Sequence, residues 1–131
     1  MKKSLTFQTS IDNIVLAENF IDSISSENNI SEEIYGNILI ATTEAVVNAV
    51  KHGNRLDPTK FVFLHAILEG NILEIDVKDE GMGFNFTNLP DPTLADNILK
   101  FSGRGIYLIK SLSDNLEFLE GGTLLKMTFK L

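Results

Sequence analysis

The spacing of apolar positions along this chain changes at each turn signal, and those changes mark out its elements. Leu5 to Gln8 reads as a short strand. Ser10 then offers a helix cap, and Ile11, Ile14, Val15, Ile21 and Ile24 recur at helical spacing, which predicts an amphipathic helix over about 11–25. Ser26 to Asn29 is polar and closes it. Ser31 caps a second helix, with Glu32 and Glu33 where the helix dipole favours negative charge. From about Glu32 to Lys51 this helix is apolar nearly all round, through Ile34, Ile38, Leu39, Ala45, Val46, Ala49 and Val50, so a buried helix is expected. Gly53 reads as its left-handed cap, and Asp57-Pro58 confirms the break.

The period then falls to two. Lys60 to Glu69 is β-branched and aromatic, Gly70-Asn71 is a tight turn, and Ile72 to Asp79 places Leu73, Ile75 and Val77 on one face against Glu74, Asp76 and Lys78 on the other. That is a hairpin with one covered face. Asp79 continues the inward series, so its carboxylate points to the core side unless the strand twists out or ends before it. Periodicity is lost from Glu80 to Ser102, which holds Gly81, Gly83, Pro90, Pro92 and a weakly helical LADNILKF. A connection of this length in a compact domain is usually functional. Gly103-Arg104-Gly105 opens a third helix, Ile106 to about Ser113. Asn115 to Glu120 reads as a strand, Gly121-Gly122 as a turn, and Thr123 to Leu131 as a last strand with Leu125, Met127, Phe129 and Leu131 on one face. The element order predicts an α/β two-layer sandwich: a mixed, mostly antiparallel sheet with helices on one face, in a single domain over 1–131.

Composition narrows the function classes. At 131 residues, with 44% hydrophobic and 22% charged, the chain can bury a core of its own. A net charge of −7 opposes nonspecific attraction to nucleic acid or an anionic membrane, and neither is expected as a partner. The absence of cysteine excludes disulfides and thiolate metal sites and fits a reducing, cytoplasmic setting. No stretch approaches the roughly 18 apolar residues of a membrane span, and MKKSLTFQTS lacks the apolar run of a signal peptide.

Three features converge on one chemistry. Glu44 and Asn48 stand at i,i+4, so they share a helix face beside the small Ala41 and Ala45. A lone Glu there is ordinarily a solvated edge residue; the alternative is a general base one turn before a magnesium-binding amide. Asp79-x-Gly81-x-Gly83 ends a strand, where an inward carboxylate can accept from an adenine amino group and the glycines let the backbone approach the base. Gly103-x-Gly105 starts a helix, whose free amides attract phosphate. Each is weak alone; their order and spacing together point to a bound nucleotide.

EAVVNAVKHGN, DEGMGF and SGRGIYLI resemble the N, G1 and G2 boxes of the Bergerat-fold ATPases, the superfamily of type II topoisomerases, heat-shock chaperones, mismatch-repair ATPases and histidine kinases. With NAVKHGN, DPT and SGRGIYLIK in so short a chain, the resemblance is closest to the bacterial anti-sigma-factor serine kinases and covers essentially its whole length. No phosphoacceptor hairpin or transducer domain is expected. The resemblance implies ATP and Mg²⁺ as cofactors, Asn48 as the metal ligand, Glu44 as catalytic base and Asp79 as the adenine reader. It implies Gly81 and Gly83 shaping the base pocket and an ATP lid over about 80–105, with Gly103, Arg104 and Gly105 on its phosphate side. Thr123 is expected to support the adenine-binding carboxylate. Arg104 is a cation on the terminal phosphate or a solvated lid charge. Lys51 and His52 lie near the phosphates by position, with His52 as readily a helix-ending contact as a catalytic part. The implied partners are a small anti-sigma-factor antagonist, a sigma factor and a second copy of the chain, the first strand and first helix being the candidate dimer contact. The competing readings are an ATP-dependent switch that transfers nothing, against which a retained Glu44 argues, and a nucleotide-free interaction domain.

Overall fold

The computed structural model describes residues 1–83 and 101–131, and the side chains of residues 101–104 fall outside the description as well. The strands are β1 (Lys2–Gln8), β2 (Phe61–Glu69), β3 (Ile72–Lys78), β4 (Asn115–Leu119) and β5 (Leu124–Lys130). They form one sheet in the order β1-β2-β3-β5-β4. Three helices, α1 (Ile14–Glu27, after a 3-10 turn Ile11–Asn13), α2 (Glu32–Asn48) and α3 (Phe101–Leu112), complete the architecture.

Every strand pair among the described residues is antiparallel, so the sheet is not mixed as the sequence suggested. Two helices joined by a short turn lie between β1 and β2, so the chain leaves and re-enters the sheet at the same end. There Thr9 N–H donates to Lys60 O at 3.0 Å. The return through α3 and the β4–β5 turn does the same for β3 and β5.

The helices cover one face. Phe7, Val62, Leu64, Ala66, Leu73, Ile75, Val77, Leu125, Met127 and Phe129 from alternate strand positions pack against Ala17, Ile21, Ile24, Ile38, Val46 and Ile109. The expected alternation in β3 and β5 is therefore the observed one. α2 is the middle helix, packed on both α1 and α3. It is nevertheless not buried all round: Ile40 is 46% exposed, because α2 shows the sheet and its two neighbours only part of its circumference.

Three boundaries move. β1 starts at Lys2 rather than Leu5, because β2 offers pairing partners as far as Ile67. α3 starts at Phe101 rather than Ile106, so Gly103 and Gly105 lie within its first turns instead of ahead of it. α2 ends at Asn48 and widens into a π-helical turn over Ala49–Gly53, closed by Asn54 N–H on Ala49 O at 2.8 Å. That wide turn carries the chain through Gly53 without a positive φ; Arg55 and Leu56 take the left-handed conformation instead, at φ 52° and 59°. Pro90, Pro92 and nearly all of LADNILKF lie outside the described residues. Among the described residues no helix is long and apolar enough to cross a membrane.

Candidate functional site

The 3.6-residue period of α2 puts Glu44 and Asn48 one turn apart on a face that looks toward α3. Gly105 of α3 seats against both. A Cβ at Gly105 would lie 3.1 Å from Asn48 Nδ2 and 3.4 Å from Glu44 Oε2, so a side chain there would press on the pair. Asn48 Oδ1 is buried and has no hydrogen-bond partner among the described residues. An orphaned buried acceptor costs about 1–3 kcal/mol, which a bound donor or cation would offset. A hard, neutral oxygen of this kind suits Mg²⁺. Among the described residues no group of three or more acidic or imidazole side chains could hold a metal alone, so an ion at Asn48 would take its other oxygens from water or a bound ligand.

Asp79 follows directly on β3, and its N–H donates to Thr123 O at 2.9 Å, which ties it to the start of β5. Its carboxylate lies on the helix-covered side, as the strand parity predicts. Oδ1 accepts from Gly81 N–H at 2.8 Å. Burial pushes the Asp79 carboxyl above the usual range, and the Gly81 bond and the Lys78 and Lys60 charges pull it back. Two glycines make this placement possible. A Cβ on Gly53 would fall within the Asp79 carboxylate, and one on Gly81 would run into the Gly53 carbonyl. Gly83, at φ 77°, passes as closely over the Gly121 carbonyl. The Thr123 hydroxyl donates to Glu120 O at 2.9 Å, and its main-chain carbonyl carries the link to Asp79.

One cavity of about 250 Å³ joins the two ends. Asn48, Asp79, Gly83 and Thr123 line it, with Ala49, Val77, Ile106, Phe118 and Leu125 as the apolar wall. An apolar slot with a few converging polar groups is the usual form of a small-molecule site. Residues 7–129 match the family described as the histidine kinase-like ATPase domain. The chain belongs to that family.

Known relatives of this ATPase domain agree. It is 26% identical over 140 residues to the anti-sigma F factor of Oceanobacillus iheyensis, covering 98% of this chain and 91% of that protein. It is 35% identical over 94 residues to the serine-protein kinase RsbW of Bacillus thuringiensis, covering 66% of this chain and 58% of that protein, less than two thirds of its length. A crystal structure of the RsbU and RsbW domains of a Mycobacterium tuberculosis protein superposes on all of this chain and 32% of its own, with a TM-score of 0.74 at 19% identity, and so shares the fold.

The structure of this ATPase domain gathers most of the residues the boxes single out, and it separates their surroundings. Asn48 and Asp79 stand in one cavity, Gly81 grips the Asp79 carboxylate, and Glu44 stands beside Asn48 against Gly105. Gly103 and Arg104 lie in the first turns of α3, the Arg104 side chain outside the described residues. His52 also lines the cavity; burial, then the Lys51 charge, lowers its pKa below the ordinary value.

Asn54 is the residue that sequence reasoning missed. It is 1% exposed, and its Nδ2 donates to Thr9 Oγ1 and to Phe61 O, both at 2.9 Å. Its Oδ1 accepts from Glu80 N–H at 2.7 Å, and Glu80 Oε2 in turn accepts from Phe61 N–H at 2.8 Å. One amide thus fastens the end of α2 to β1, β2 and the loop after Asp79. An asparagine after a helix-ending glycine reads as turn chemistry, and only the fold reveals that three segments converge on it.

Proposed function

We propose that this chain is a protein serine kinase of the anti-sigma-factor type. It binds ATP with Mg²⁺ and phosphorylates a serine of a small antagonist protein, acting as a partner switch in bacterial transcription regulation. The observation that carries this reading is one cavity lined both by an unpartnered Asn48 Oδ1 and by the desolvated Asp79 carboxylate. That pairing suits a ligand with an amino-bearing base and a metal-bridged phosphate chain. Asp79, held by Thr123 O and Gly81 N–H, accepts from the base. Asn48 supplies one oxygen to the ion, which would neutralise phosphate charge when bound. Glu44 takes the serine hydroxyl proton as the new O–P bond forms and the bond to the ADP oxygen breaks. Gly105 leaves the space beside both α2 side chains open. Arg104 is assigned to the terminal phosphate on the strength of the family resemblance.

Incubation with γ-labelled ATP and candidate antagonist proteins tests the proposal. Label on a partner serine supports it, whereas ATP binding without label on any partner leaves the switch reading in its place. We further propose a cytoplasmic homodimer that also holds a sigma factor. Exposed Ile11, Val15 and Leu16 on the first helix and its preceding turn suit the dimer contact. A monomer mass by light scattering at micromolar concentration contradicts it.

A further inference from the structure

Arg55 and Leu56 are consecutive non-glycine residues with left-handed backbones, at φ 52° and 59°. Side chains other than Asn and Asp rarely adopt that region, and two in succession need surroundings that enforce it. Those surroundings are present. Leu56 N–H donates to Val50 O at 2.9 Å, Asp57 N–H to Asn54 O at 3.0 Å, and Lys60 N–H to Asp57 O at 3.1 Å. The buried Asn54 anchors the turn from the inside. Packing of Leu56 does not explain the strain, since its side chain is 50% exposed. Strain that the surroundings over-determine tends to gather at ligand clamps.

What the strained turn accomplishes is the placement of Arg55. Its side chain lines the cavity of Asn48 and Asp79 while remaining exposed. It makes no ion pair or hydrogen bond to a described residue. Arg55 lies two residues beyond Gly53, which packs on the Asp79 carboxylate, and both residues line the cavity. We infer that Arg55 is a base-contacting residue, its guanidinium lying over the purine ring whose amino edge Asp79 accepts. The inference rests on the nucleotide reading above. A flat, weakly hydrated cation stacks on a π face in a way that an ammonium does not. Ala49, Val77 and Leu125 supply apolar contact to the base, and Arg55 supplies a cover from the solvent side.

The experiment compares the wild type with R55G, R55K and D79N, measuring affinity for ATP, ADP and adenosine and the unfolding temperature of each protein. Glycine adopts the left-handed backbone without strain, so R55G is expected to raise Tm while weakening all three ligands equally, by roughly fivefold, the scale of one partly desolvated cation–π contact. R55K is expected to recover little of that loss. A loss confined to ATP and ADP, full recovery in R55K, or a fall in Tm together with affinity overturns the assignment, by making Arg55 a phosphate contact, a simple charge or a structural residue. Unchanged affinities in R55G overturn it outright. If D79N weakens the nucleotides and R55G does not, only the role of Arg55 falls; if the wild type binds none of the three ligands, the nucleotide reading falls with it.

Discussion

Gly53 and Asp79 adjoin so closely that a methyl group on the first would occupy the carboxylate of the second. The contact spans the end of the π turn after α2 and the end of β3, and it decides where the Asp79 oxygens can point. Gly81 is as tightly placed, but its nearest obstacle is the Gly53 carbonyl, with the Asp79 carboxylate oxygen the more distant contact. The two glycines therefore predict different failures. Gly53→Ala displaces the Asp79 carboxylate and is expected to weaken adenine-nucleotide binding about tenfold or more, with a modest loss of stability. Gly81→Ala drives a methyl into backbone and is expected to cost roughly 1–3 kcal/mol of stability, the scale of overpacking. Calorimetric binding and urea unfolding on both variants check the pair; equal effects in both assays contradict it.

Glu44 and Asn48 share a helix face but are assigned separate tasks. Glu44→Gln keeps the shape and loses the proposed base, so ATP binding is expected to stay near the wild-type value while transfer falls roughly 10²-fold or more. Asn48→Ala removes the unpartnered oxygen and is expected to lose magnesium-dependent binding and transfer together. Single-turnover transfer and equilibrium binding on both variants decide the matter. Wild-type transfer by Glu44→Gln would falsify the base assignment.

Asn54 predicts a loss of stability with no chemical step involved. Asn54→Ala deletes three side-chain hydrogen bonds and leaves the buried Thr9 hydroxyl and two part-buried main-chain groups without that partner. A cost of roughly 3 kcal/mol is expected. The midpoint of urea unfolding reads it, and a loss below about 1 kcal/mol contradicts the anchoring role.

Asp76 carries a pH prediction. It lies on the sheet face away from the helices, across from His65 on β2 and Lys126 on β5. Burial and the neighbouring Glu74 push its carboxyl up to about 6 from the usual 3.8, against the opposing pull of Lys126 and His65. A carboxyl raised in the folded state binds its proton more tightly there than in the unfolded chain. Its contribution to stability is therefore complete below pH 3.8 and is lost as pH rises through about 6. Asp76→Asn is expected to unfold at a higher temperature than the wild type at pH 7.5 and at nearly the same temperature near pH 4. Thermal melts at the two pH values check this, and a difference independent of pH contradicts it.

Local periodicity alone determined the layers of this protein. Leu73, Ile75 and Val77 against Glu74, Asp76 and Lys78 specify a one-sided strand whatever it pairs with, because side chains alternate across a pleated sheet. The i,i+4 spacing of Glu44 and Asn48 likewise specifies a shared helix face, and the inward parity of Asp79 follows from the strand before it. Relations between distant segments needed the tertiary structure. Gly53 looked like a left-handed cap, yet its lack of a side chain serves the approach of Asp79, which is far away in sequence. The strain that a cap would place on glycine falls on Arg55 and Leu56 because the π turn shifts the reversal along the chain. Thr123 supports Asp79 through its carbonyl, a bond any residue type could make. Asn54 became an anchor only when β1, β2 and the loop after β3 met around it. Periodicity is a property of neighbours along the chain, whereas steric fit and the pairing of buried polar groups depend on which segments the fold brings into contact.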